Sequence, residues 1–195
     1  MHFSTLPDAR AEQAADAPAL RDDAVALTNA QLLEHVQQAA RALADHGIGR
    51  GDVVAVFLPN RVELLVTLFA AWRLGAVVTP INPVLGPAEV GYQVSDAAAK
   101  LLVAESERAD LSVPTLTLDT IARAELGTAA DPPIAQGLSD SELALLIYTS
   151  GATGNPKGAM LTHGNLDAMT ASFIEWFKLT EQDHSLLVLP LFHAN

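Results

Sequence analysis

Val53-Val54-Ala55-Val56-Phe57-Leu58, then Pro59-Asn60, then a helical pattern over 61–74 that stops at Gly75, then Ala76-Val77-Val78-Thr79-Pro80: this stretch decides the fold. The first run is continuous, apolar and rich in β-branched residues, which marks a strand covered on both faces, as in a parallel sheet. Pro59-Asn60 is expected to cap the helix, and Gly75 to end it in a left-handed turn. The strand–helix–strand unit repeats downstream. Pro87 opens a helix running to about Ala97, Lys100-Leu101-Leu102-Val103-Ala104 is a strand, and Thr115-Leu116-Thr117-Leu118 another. Such alternation specifies an α/β fold, a three-layer αβα arrangement with a largely parallel sheet.

Upstream, residues 4–16 form an Ala-rich helix ending before Pro18, and a small hairpin turns at Asp22-Asp23. Thr28 starts a helix with Gln31 three residues on, a capping box. Its apolar stripe is Leu32, Leu33, Val36, Ala39, Ala40 and Leu43, and it stops at Gly47. Downstream, 127–140 lacks periodicity and reads as a linker. A strand at 143–148 follows, then a helix over 165–178 with Leu166, Met169, Thr170, Phe173, Ile174 and Phe177 on one stripe, then a last strand at 186–192.

Composition removes several function classes. The 195 residues suffice for one domain with a sizeable core. The net charge of −12 argues against nucleic acid and anionic membrane surfaces as partners. With no cysteine there is no disulfide, thiolate metal site or cysteine nucleophile, which fits the cytoplasm. The longest apolar runs fall short of the ~20 residues a spanning helix needs. No acidic cluster suggests a metal site, and no signal peptide is apparent at Met1-His2-Phe3.

Chemistry concentrates at 148–158, Tyr148-Thr149-Ser150-Gly151-Ala152-Thr153-Gly154-Asn155-Pro156-Lys157-Gly158. The glycines allow sharp turns and close backbone approach. Thr149, Ser150 and Thr153 bring hydroxyl donors and Lys157 a positive charge, a combination suited to a polyphosphate. It is not the common P-loop, because Pro156 precedes Lys157 and Gly158 follows it.

This string, continuing into Ala159-Met160-Leu161-Thr162-His163, resembles the phosphate-binding signature of the adenylate-forming superfamily, which includes acyl-CoA synthetases, peptide-synthetase adenylation domains and luciferases. The family usually has Thr or Ser where this chain has Ala152. The resemblance implies that Thr149, Ser150, Gly151, Ala152, Thr153, Gly154 and Lys157 hold the β and γ phosphates of ATP, with one hydroxyl fewer than usual. Pro190-Leu191-Phe192-His193 is similar to the family's second signature and makes His193 the expected substrate-site residue, near the acyl carboxylate. His163 admits two readings, a packing or capping role and a helix N-terminus presented to an anion.

The implied reaction joins a carboxylic acid, in the first place a fatty acid, to ATP with Mg2+, giving acyl-adenylate and pyrophosphate; coenzyme A then takes the acyl group and AMP leaves. A carrier-loading adenylation domain and a non-catalytic nucleotide-binding module are the alternatives. The family's Tyr-Gly-x-Thr-Glu segment, ribose-binding Asp and C-terminal small domain find no match here. Residues 1–195 are therefore expected to be the incomplete first portion of the family's large N-terminal ATP- and acyl-binding domain, with little ligase activity alone and bared apolar surface that favours self-association.

Overall fold

The structure, a computed structural model, describes residues 3–123, 134–149 and 155–192. After a 3-10 turn at Phe3–Thr5, helix α1 spans Leu6–Ala14. The hairpin forms as expected: β1 (Pro18–Arg21) pairs antiparallel with β2 (Ala26–Thr28). Helix α2 (Asn29–Asp45) starts with the Thr28–Gln31 capping box, both reciprocal bonds made. Gly47 follows it at φ +74°, a left-handed position that favours glycine.

Strand β3 is Val53–Phe57 and helix α3 is Val62–Arg73. The cap of α3 corrects an expectation. Its N-cap is Arg61, which gives no side-chain cap; the Val62 N–H donates to Asp22 Oδ2 at 2.9 Å instead. The same carboxylate accepts from the Ala24 and Val25 N–H groups. These bonds, that of Val62 first, hold the Asp22 carboxyl below its ordinary value. A hairpin acid thus caps a helix 40 residues away, and Asn60 is left for another partner.

Then come β4 (Val77–Pro80), α4 (Pro87–Asp96), β5 (Ala99–Ala104) and β6 (Thr115–Thr117). The expected strand at 115–118 ends one residue early, because Leu118 opens helix α5 (Leu118–Arg123). Strand β7 (Leu143–Thr149), strand β8 (Lys157–Thr162) and helix α6 (His163–Phe177) complete the elements among the described residues. The apolar run at 186–192 is not a strand. It has the hydrophobicity of one but no ladder neighbour among the described residues, and Leu186, Leu187, Val188 and Leu189 are exposed.

Among the described residues the large sheet has the order β6-β5-β3-β4-β7-β8, parallel throughout except for the antiparallel β7–β8 edge. Alternation along β3 divides the core. Val54 and Val56 meet α2 and α3 through Val36, Leu43, Leu64 and Ala70. Ala55 faces the other way, onto Val90 and Val94 of α4. The helix after β3 and the helix after β4 therefore lie on opposite faces. This is what right-handed crossovers require when one connection moves to β4 and the next moves back across to β5. The three-layer α/β arrangement with a largely parallel sheet is the one expected.

Candidate active site

Opposite crossovers part at the carboxyl ends of β3 and β4, the usual ligand position in open parallel sheets. β7 lies beside β4, paired through Val78 and Leu145, so its carboxyl end borders the same rim. That end is Thr149, where the expected phosphate loop begins.

The loop is the connection of a hairpin. β8 pairs with β7 down to Thr149 opposite Lys157, and this closing pair sets one hydroxyl and one ammonium across the mouth. Both residues are exposed, and Lys157 has no carboxylate partner among the described residues. Ser150, Gly151, Ala152, Thr153 and Gly154 lie outside the described residues, as does His193. Reading Lys157 as part of an irregular loop is corrected: it is the first residue of a strand. The available signal was Gly154-Asn155-Pro156, turn residues between two apolar runs, which is a hairpin pattern.

Gly158 pairs across the hairpin with Tyr148. A Cβ on Gly158 would stand 3.4 Å from the Tyr148 ring, which lies against its backbone. That ring belongs to a clamp at the loop's base. The Tyr148 hydroxyl donates to Asp96 Oδ2 at 2.6 Å, and the Tyr92 hydroxyl donates to the Pro156 carbonyl at 3.1 Å. Burial, together with this bond to Asp96, holds the Tyr148 hydroxyl well above the ordinary tyrosine range, so it stays a donor at neutral pH. Tyr92 and Asp96 stand four residues apart on α4, hence on one face, and they hold β7 at Tyr148 and the connection at Pro156, the residue before β8. Sequence reading missed this pair. Their i, i+4 spacing was visible, but their targets, more than 50 residues away, were not.

His163 resolves as a packing residue. It is 2% exposed, its ring stands edge-on to Trp72 at 5.7 Å, and its N–H donates to the Glu142 carbonyl. Trp72 in turn donates from Nε1 to the Ala144 carbonyl at 2.9 Å, tying α3 to β7. Thr162 and Asn165 make the capping box of α6. Among the described residues no group of three His, Asp or Glu side chains could hold a metal ion. Nor is any described helix long and apolar enough to cross a membrane.

A largely parallel sheet with opposite crossovers, bordered at its carboxyl rim by a hairpin mouth with an exposed lysine, defines an open α/β scaffold of the kind that takes ligands at that rim. The chain belongs to the AMP-binding enzyme family, whose model matches residues 7–195. It is 39% identical over 197 residues to a feruloyl-CoA synthase of Amycolatopsis sp, covering 98% of this chain and 40% of that protein. It is 35% identical to the long-chain-fatty-acid–CoA ligase FadD13 of Mycobacterium tuberculosis, over 87% of this chain and 36% of the relative. The structure is similar to o-succinylbenzoate CoA synthetase (MenE) from Bacillus subtilis. In its complex with the acyl-adenylate OSB-AMP the TM-score is 0.86 at 30% identity, over 96% of this chain and 50% of that one. In its complex with ATP and magnesium ion the TM-score is 0.84 at 30% identity, over 96% and 51%. The chain thus spans about half or less of the proteins it matches.

Proposed function

We propose that this chain supplies the phosphate-binding side of an AMP-forming acid–thiol ligase, an acyl-CoA synthetase working in the cytoplasm. A carboxylate oxygen attacks the α-phosphorus of ATP, the bond to the bridging oxygen breaks, and pyrophosphate leaves. The thiol of coenzyme A then attacks the acyl carbon, loses its proton, and AMP departs. The observation that carries the reading is the Thr149–Lys157 pair at the mouth of the β7–β8 hairpin.

In this reading Lys157 and the hydroxyl and N–H groups of Thr149, Ser150, Gly151, Ala152, Thr153 and Gly154 hold the β and γ phosphates. They stabilise charge that grows on the leaving group, a positioning and electrostatic role. Lys157 fits because its ammonium is exposed and has no internal counterion among the described residues. Asp96 holds the end of β7 and Tyr92 the connection just before β8. His193 orients the acyl carboxylate. Magnesium, when bound, spreads the polyphosphate charge; the described residues offer it no ligand set, so none is assigned to it. The names of the relatives pair this scaffold with feruloyl, o-succinylbenzoyl and long-chain fatty acyl groups, which supports an acid with an apolar or aromatic body.

Titration of Mg·ATP into the 195-residue chain tests the phosphate role. Lys157→Ala is expected to weaken binding about ten- to a hundredfold, the range for losing one charged hydrogen-bonding partner. Equal affinity in the variant would remove Lys157 from the site. ATP–pyrophosphate exchange with a panel of carboxylates is expected to be absent in the 195-residue chain, and robust exchange would sink the view that the active site is incomplete in it. The exposed α6 stripe further supports self-association through a second copy, which sedimentation over a concentration series would detect.

A further inference from the structure

Asn60, freed from helix capping, holds the segment that leads to His193. Its Nδ2 donates to the Leu189 carbonyl at 2.8 Å, and its Oδ1 accepts from the Leu191 N–H at 2.7 Å. Those two backbone groups flank Pro190, which has no N–H of its own. A parallel strand neighbour would bond the same pair, with one residue accepting from residue i+1 through its C=O and donating to residue i−1 through its N–H. A carboxamide side chain carries N–H donors and an acceptor oxygen side by side, so it can supply both bonds in place of that residue. The amide orientation follows from its partners, because a flipped group would set N–H against N–H and oxygen against oxygen.

The anchor is placed where it matters. Asn60 lies three residues past the end of β3, at the rim where the crossovers part. Leu191 packs against the core cluster shared by α2, α3 and β3. The apolar side chain and the Asn60 bonds therefore fix the backbone of residues 189–191 from two directions. The rest of the run differs: Leu186, Leu187 and Val188 are exposed.

We propose that Asn60 is a positioning residue for the Pro190-Leu191-Phe192-His193 segment, fixing the backbone that leads into His193 by substituting for a missing strand neighbour. The consequence for catalysis rests on the role given to His193 above; the anchor itself does not. Asn60 touches no substrate in this scheme and acts only through the backbone two residues before His193.

Amide hydrogen exchange and imidazole NMR on the 195-residue chain test it, with no nucleotide needed, so the outcome is independent of the phosphate-loop reading. In Asn60→Ala, exchange at the Leu191 amide is expected to rise about tenfold, the equivalent of one lost hydrogen bond. Exchange at Val56, in the centre of β3, should not change, and the titration midpoint of His193 should move. Asn60→Asp guards against a variant that fails to fold. It keeps an acceptor for Leu191 but turns a carboxylate oxygen towards the Leu189 carbonyl, so the His193 resonance should move while Leu191 protection is partly kept. Unchanged Leu191 exchange in Asn60→Ala overturns the anchor. Lost Leu191 protection in Asn60→Ala with an unmoved His193 titration overturns the positioning role.

Discussion

Helices α2 and α6 begin alike and end differently. Each opens on a threonine capping box, and each carries an apolar stripe at helical spacing. On α2 the stripe disappears into the core, with Val36, Ala39, Ala40 and Leu43 fully buried. On α6 Leu166 is covered, but Met169, Phe173, Ile174 and Phe177 are about half exposed or more. Local signals are enough to make a helix. Whether its apolar face is buried depends on a partner surface that the helix does not encode. Substituting one side chain on each stripe separates the two cases most sharply. Leu43→Ala should cost about 2–5 kcal/mol, the range for a large-to-small change in a closed core. Phe173→Ala should stay within about 0.5 kcal/mol, as exposed substitutions do. Urea denaturation at low protein concentration measures both, and a large loss in Phe173→Ala would mean that the α6 face is covered in solution.

The same contrast runs through the turns. Gly47 and Gly75 both end helices, at φ +74° and +73°. A Cβ on Gly47 would meet nothing within 4 Å, whereas on Gly75 it would lie 3.1 Å from Arg50 Cγ and Leu138 Cδ2 and 3.2 Å from the Ala135 Cβ. Gly47→Ala should therefore cost about 1–2 kcal/mol, the left-handed penalty alone. Gly75→Ala adds crowding and should cost about 1–3 kcal/mol more. Equal losses in thermal melts of the two variants would show that residues 135–138 give way easily.

These pairs mark what could be read in advance. The helices, the hairpin and the parallel strands rested on signals a few residues apart, such as Thr28 with Gln31, or the unbroken run at Val53. Sequence put the candidate phosphate contacts at 148–158, and of these the structure describes Thr149 and Lys157, paired across the β7–β8 hairpin. Misreadings came where an element is defined by a distant neighbour. Lys157–Thr162 is a strand because β7 lies beside it; the run at 186–192, more hydrophobic, is not one because no strand among the described residues pairs with it. Tyr92 and Asp96 were invisible as loop supports for the same reason.

Asp22 and Asn60 give the smallest and cleanest test of this local–distant contrast, since each does a job the chain order does not suggest. The Asp22 carboxyl is held below its ordinary 3.8, chiefly by the N–H groups of Val62 and Val25. A carboxyl with a lowered folded pKa binds protons more weakly in the folded state. Its stabilisation is therefore complete above the unfolded value, and falls away as pH drops through the folded one. Asp22→Asn keeps an acceptor oxygen but loses the charge, and should cost about 0.5–1 kcal/mol near neutral pH, as weakened helix caps do. Glu142, lowered by its bond to Arg50, titrates in the same acid range in both proteins and cancels in the difference. The wild-type advantage should thus be flat from neutrality down to about pH 5 and shrink below the ordinary 3.8. An advantage that does not change with pH would assign the α3 cap to the shape of the Asp22 side chain rather than to its charge.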